Sequence, residues 1–274
     1  MPIVPLHTWL PDAHTDAPTP VSMILAAILL KMGAFGIIRF NMELLPDAFK
    51  LIAPILVIFA LVNIIYTAFV AYAKTDLKKI VAYSSISNMG IVLLGLCSLN
   101  LIGTSGAVFQ MVAHGIISAG LFMLVGVVYQ RTKTRELIEL GGIGHVMPRL
   151  MGFGLILSFA AVGLPLLIGF VGEFLVFVGI FNSPLDEINA PVRIYGILAI
   201  TVLILSAAYI LKLMHKTFFG NILEQWNSVK DITNHEFVVL FAIILSVGFF
   251  GIFPMSILDI VQPALTSILN LLQI

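Results

Sequence analysis

Apolar residues run along this chain in blocks of about twenty or more, parted by short stretches that hold Pro, Gly and most of the charge. A helix of about twenty apolar residues covers the roughly 30 Å of a bilayer's hydrocarbon core. The pattern therefore predicts an all-α integral membrane protein with about seven transmembrane helices, at 20–40, 50–73, 77–99, 104–130, 149–182, 191–219 and 235–253. Thr19, Asp76 and Thr104 stand where N-caps of the first, third and fourth spans are expected. Residues 254–274 are also apolar, but Asp259 and Pro263 interrupt them, so a short eighth span and an interfacial helix both fit. Residues 1–18 are rich in Pro, His and Asp and lack the make-up of a cleavable signal peptide. They read as a loop from the middle of a protein, as expected of a chain truncated at its N-terminus. No low-complexity linker divides the chain, which reads as one domain.

The 149–182 block stands apart because it is 34 residues long and holds Gly163-Leu164-Pro165 and Gly169. Proline removes a backbone donor and frees a carbonyl one turn earlier. Such a sequence predicts a helix broken near Pro165, an arrangement that a membrane tolerates where protein or internal water covers the backbone. Broken helices are common in the ion-binding regions of transporters. A plain proline kink is the alternative.

Charged residues make up 10% of the chain and apolar ones 60%, whereas soluble domains are about 25% charged. Net charge is zero without a basic block, which argues against a nucleic-acid partner. Cys97 stands alone inside an apolar span, which excludes a disulfide framework and a cysteine metal cluster. With the spans alternating in direction, ten basic residues fall on one side: Lys74, Lys78, Lys79, Arg131, Lys133, Arg135, Arg149, Lys212, Lys216 and Lys230. Arg39, Lys50 and Arg193 fall on the other. The positive-inside rule then places residues 1–18 on the cytoplasmic side or its equivalent.

Three ionisable groups remain within the spans: Lys31, near the centre of 20–40, His114 in 104–130, and Glu173 in the second half of 149–182. A lysine at membrane depth costs about 2.5–3.5 kcal/mol even on the translocon insertion scale. A base, an imidazole and a carboxyl held away from water, with Ser and Asn between them, form a candidate proton relay. Plainer roles exist for each. Lys31 and Glu173 pair as a structural salt bridge, His114 bonds a nearby carbonyl, and Asn63 and Asn88 join helices by hydrogen bonds. Tyr72, Tyr129 and Tyr195, near span ends, fit interfacial anchors. His7 and His14 flank a Pro/Asp-rich loop without a regular metal-ligand spacing. No HExxH, CxxC, Walker or GxGxxG motif stands in a suitable context, so no nicotinamide, flavin or iron–sulfur site is expected in this chain.

The run Pro5-Leu6-His7-Thr8-Trp9-Leu10-Pro11-Asp12-Ala13-His14, with Ala17-Pro18-Thr19-Pro20-Val21 and Ala27-Ile28-Leu29-Leu30-Lys31, resembles the signature of the antiporter-like membrane subunits of respiratory complex I. Tyr83-Ser84-Ser85-Ile86-Ser87-Asn88-Met89-Gly90 and Met111-Val112-Ala113-His114-Gly115 extend the likeness. Arg131-Thr132-Lys133-Thr134-Arg135 with Gly141-Gly142, and Phe170-Val171-Gly172-Glu173-Phe174, are similar to its chain 4 (subunit M) branch. The resemblance covers about residues 1–220, which it marks as the C-terminal part of a proton-translocating antiporter-like domain, and leaves 221–274 as a loop and terminal helices.

The resemblance implies a bundle of about fourteen helices with two inverted five-helix repeats, of which this chain supplies the eighth to the fourteenth. Lys31 would match the eighth-helix lysine of the family's relay, His114 an imidazole on the eleventh helix, and Glu173 the twelfth-helix carboxylate. The relay's first glutamate and its seventh-helix lysine are absent from the chain. Asn88 replaces a histidine found in many relatives, and Leu166-Leu167-Ile168 replace small residues after Pro165. The implied role is that of a membrane-arm subunit of a proton-translocating NADH:quinone oxidoreductase in a bacterial inner membrane or an equivalent energy-transducing membrane. NADH or another donor, flavin, iron–sulfur clusters and quinone are then expected in partner subunits, and no cofactor or metal in this one. A subunit of a cation/proton antiporter or of a membrane-bound hydrogenase is the alternative within the superfamily; a non-conducting membrane scaffold is the alternative outside it.

Overall fold

The computed structural model describes residues 1–185 and 192–272. Its helices are α1 (Trp9–Asp16), α2 (Thr19–Met42), α3 (Pro46–Ala73), α4 (Leu77–Leu96), α5 (Leu101–Thr132), α6 (Pro148–Val162), α7 (Ile168–Phe181), α8 (Val192–Phe218), α9 (Asn234–Ile252) and α10 (Met255–Leu271). Six of them, α2 to α5, α8 and α9, are long and apolar enough to cross a membrane. The pair α6 and α7 forms the seventh span, broken as expected. The link between them, residues 163–167, is not helical, so the break is more than a proline kink. Gly163 turns the chain at φ +81 and Leu166 holds φ +74, a region that costs a side-chain-bearing residue about 1–2 kcal/mol. The tail, for which two arrangements were open, forms the single helix α10 with Pro263 inside it.

Burial separates the helices by role. α4 and α5 are buried along most of their lengths, whereas α2, α3, α8 and α9 turn wide apolar faces outward. α3 packs on α4, α4 on α5, and α5 on α7. Within this stack the polar residues of α4 and α5 are shielded from lipid, as a membrane interior requires.

Local chemistry moved several helix starts from their expected places. α1 occupies much of the stretch that the composition reads as loop; Pro11 falls in its first turn, where the missing N–H has no intrahelical partner to lose. Pro18, in extended conformation, takes the N-cap position ahead of Thr19, and Thr19 opens α2 with its side chain against Gly126. α5 begins a turn before Thr104, because Asn100, at least as good a cap as threonine, accepts from Gly103 N at 2.9 Å. Asp76 caps α4 as expected, accepting from Lys78 N at 2.7 Å and Lys79 N at 3.0 Å.

Several of the basic residues assigned to one side are tied to neighbouring helices by direct contacts. Lys78 Nζ donates to Ala17 O at 2.5 Å, Arg135 Nη1 to Thr15 O at 3.1 Å, and Lys212 Nζ to Lys74 O at 3.1 Å. Arg135 also pairs with Asp76 at 3.4 Å, and Arg131 grips Glu236 through two bonds, at 2.6 and 3.1 Å. Asp76 thus joins a helix cap to an ion pair. Asp76→Ala should destabilise the protein by about 1 kcal/mol, read as a lower thermal unfolding midpoint in detergent. Asp76→Asn, which keeps the cap and loses the charge, should recover most of that loss.

Candidate functional site

Lys31 follows a π-helical stretch of α2, Leu25–Leu29. π turns hold one extra residue in the helix and recur at functional sites. Here the lysine side chain folds back along the helix and donates to Ala26 O. On its other side Nζ lies 2.8 Å from His114 Nδ1 of α5, with both residues buried. Gly115 makes this approach possible. A methyl group there would stand 2.8 Å from Ala27 O and 3.8 Å from Lys31 Cε, forcing α2 away from α5.

Two positive charges that close repel by roughly 6 kcal/mol at an effective dielectric of about 20. The pair therefore carries at most one positive charge: an amine or ammonium N–H donates to a bare ring nitrogen, or a ring N–H donates to a neutral amine. Both plainer roles are overturned. Lys31 forms no salt bridge with Glu173, and His114 Nδ1 is engaged by the lysine rather than by a carbonyl.

Glu173 sits on α7 against the break: a methyl group on Gly163 would be 2.5 Å from its Oε2. It is buried, and Oε2 has no hydrogen-bond partner among the described residues. A narrow cavity runs from His114 to Glu173, lined by the polar side chains of Ser84, Asn88, Gln110, Ser118 and Tyr209 and walled by Ile117, Leu121, Ala160 and Ala161. The space open to the centre of a water molecule is about 10 Å³, room for about one water. Gln110 Nε2 donates to Asn88 Oδ1 at 2.9 Å, and Asn88 Nδ2 to Ser84 O at 3.0 Å. Gln110 Oε1, like Glu173 Oε2, has no protein partner among the described residues. Leaving such an oxygen unbonded costs about 1–3 kcal/mol, so the cavity is built to hold water between the imidazole and the carboxyl. Lys31 also borders an apolar groove of about 860 Å³ between α2, α5 and α9.

The structure thus joins the three expected residues in a line, Lys31 to His114 directly and His114 to Glu173 across the cavity. Asn63 is a helix joint, as one reading had it: Nδ2 donates to Ile86 O at 2.8 Å and Oδ1 accepts from Val4 N at 3.1 Å. Asn88 has a double part, binding Gln110 and lining the cavity. Gln110 and Tyr209 did not stand out in the sequence. A lone amide in an apolar block, one turn before His114, was the available signal for Gln110.

The family profile described as NADH:quinone oxidoreductase/Mrp antiporter, TM, matches residues 1–190. A protein of Trichormus variabilis named NAD(P)H-quinone oxidoreductase chain 4 3 is 45% identical over 257 residues, which are 93% of this chain and 48% of that protein. The chain thus spans about half the length of such relatives. A chain of respiratory complex I from Thermus thermophilus superposes with a TM-score of 0.90 at 33% identity, over 99% of this chain and 56% of that one. The Mrp complex of Dietzia sp. offers the same fold, with a TM-score of 0.87 at 18% identity over 98% of this chain and 57% of its own. The chain belongs to the NADH:quinone oxidoreductase/Mrp antiporter transmembrane family.

Proposed function

We propose that this chain carries the second half of a transmembrane proton path in a chain 4-type subunit of an NAD(P)H-quinone oxidoreductase. The observation that carries this reading is the Lys31–His114 contact and the polar cavity that continues it to Glu173. Identity to the chain 4 relative supports this branch over a cation/proton antiporter, since the likeness to the Mrp complex is one of fold. Electron transfer, with its donor, flavin, iron–sulfur clusters and quinone, belongs on this reading to partner subunits of the membrane and peripheral arms. The basic end faces the cytoplasm or its topological equivalent, following the ten-to-three charge bias.

In the proposed cycle Lys31 and His114 share one proton. His114 passes it through cavity water to the Glu173 carboxyl, from which the C-terminal half of α7 leads towards the other side. Asn88 and Gln110 cannot titrate; they orient the water. A charge arriving on the Lys31–His114 pair changes the energy of a proton on each neighbouring group, so an electrostatic push from an adjoining subunit travels along the line. A non-conducting scaffold predicts none of this.

The test uses a full-length chain 4 relative assembled in its complex and reconstituted with a pH-sensitive dye. Lys31→Ala should lower proton translocation at least several-fold, and an unchanged ratio of protons to electrons sinks the relay. Glu173→Gln keeps the shape and removes the titrating group, and should match Lys31→Ala in effect. Gln110→Leu should weaken translocation less than either, because it removes a bond to the cavity water and leaves all three titrating groups in place.

A further inference from the structure

Irregular backbone survives in hydrocarbon only where protein covers it, and the link between α6 and α7 is such backbone. Residues 163–167 leave the helix, Leu166 holds φ +74, and no N–H among the described residues donates to its carbonyl. The first residue of the link, Gly163, lies against Glu173. The last two, Leu166 and Leu167, are held by α9. Its Gly251 meets them backbone to backbone: a methyl group there would overlap Leu166 O and stand 2.7 Å from Leu167 Cα. Hydrogen thus takes the place of a side chain, and a Cα–H faces the bare carbonyl as a weak hydrogen bond.

The seat is specific to this position. Gly248, three residues earlier on α9, has open space where a side chain would be. Val247, one turn before Gly251 on the same face, is fully buried in one cluster with Leu157 and Ala160 of α6 and Ile168 of α7. At its other end α9 is fixed as well: Glu236 closes the capping box with Thr233 and takes the Arg131 guanidinium of α5 at 2.6 Å. A helix anchored there and seated by glycine here sets where the link lies. The link in turn sets where α7 restarts, because Gly169 in its first turn packs on Ala160 O with no room for a methyl group. One turn further along α7 stands Glu173.

We propose that Gly251 is a positioning residue for the Glu173 carboxyl. Lacking a side chain, it lets α9 close on Leu166 and Leu167, and that closure holds α7 in the register that places Glu173 on the cavity. The inference rests on the proton-relay reading above and adds to it a determinant outside the line of titrating groups. Gly251 acts through the link alone. A shift of the link moves the carboxyl relative to Gly163 and to the two other titratable groups on its cavity, His114 of α5 and Tyr209 of α8. α6 and α9 carry titratable groups only in their first turns, Arg149, His235 and Glu236, at the ends of those helices far from the link.

The experiment uses a full-length chain 4 relative with glycine at both positions, in its assembled complex, with proton translocation read across a range of pH. Gly251→Ala and Gly248→Ala make the same chemical change on the same helix, and only the first meets backbone. Gly251→Ala should lower translocation several-fold. It should also move the pH of half-maximal translocation by about half a unit or more, since the proton affinity of a carboxyl follows its surroundings. Gly248→Ala should match the wild type in both respects. If the two variants behave alike, the inference is overturned. A lowered rate with an unmoved pH profile also overturns it, because loosened packing alone gives that result. Should Gly251→Ala fail to assemble, Val247→Ala loosens the same face of α9 without a clash; it should move the profile by a smaller amount, and an unmoved profile overturns the inference. Lys31→Ala is measured beside these variants. If it translocates normally, the relay reading fails and this inference with it. If Lys31→Ala is impaired while Gly251→Ala keeps the wild-type profile, only the role of Gly251 is lost.

Discussion

A positive charge inside hydrocarbon is the constraint from which the rest of this bundle follows. Lys31 meets it with two contacts, a carbonyl of its own helix and the ring of His114. The π stretch at Leu25–Leu29 precedes the lysine that folds back to Ala26 O, and Gly115 brings α2 near enough for the ring. An acid as partner would have held the proton in a stable ion pair. An imidazole lets the proton be shared, and a shared proton is one that can move.

The remaining polar groups answer to the same constraint. α4 and α5 carry Ser84, Asn88, Gln110, His114 and Ser118, and they are the two helices most completely enclosed by others. Glu173 reaches this interior because α6 and α7 stop and restart beside it. An unbroken helix would occupy the space where Gly163 turns against the carboxyl. The cavity between has room for about one water and excludes bulk solvent, so the groups at its two ends interact through a low local dielectric.

Much of this was legible in the sequence, for a simple reason. Membrane spans are set by local hydropathy, and a polar residue within a span stands out by its rarity; Lys31, His114 and Glu173 were found that way. Contacts were less legible, because they depend on tertiary approach: the resemblance ordered Lys31, His114 and Glu173 but not which of them touch. The sequence suggested Lys31 with Glu173 by charge, whereas Gly115 decides in favour of His114. Gln110 and Tyr209 escaped because an amide or a phenol in an apolar block is a mild exception. α1 escaped because proline and aspartate read as loop, although proline is harmless in a first turn. The cap of α5 moved because Asn100 competes with Thr104 for the same backbone groups, and α2 starts one residue early behind Pro18, which makes no side-chain cap bond.

Basic residues at one end serve as an orientation signal in sequence, but here they have a second task. Lys78 and Arg135 hold the last turn of α1 by its carbonyls at Ala17 and Thr15, and Asp76 joins Arg135 to the start of α4. The helix they hold carries His14, and the pocket they line opens next to it. The basic residues therefore also lock α1 against the start of α4, where regular helix bonds cannot reach. Without them the carbonyls of Thr15 and Ala17, which end α1, would lack side-chain donors.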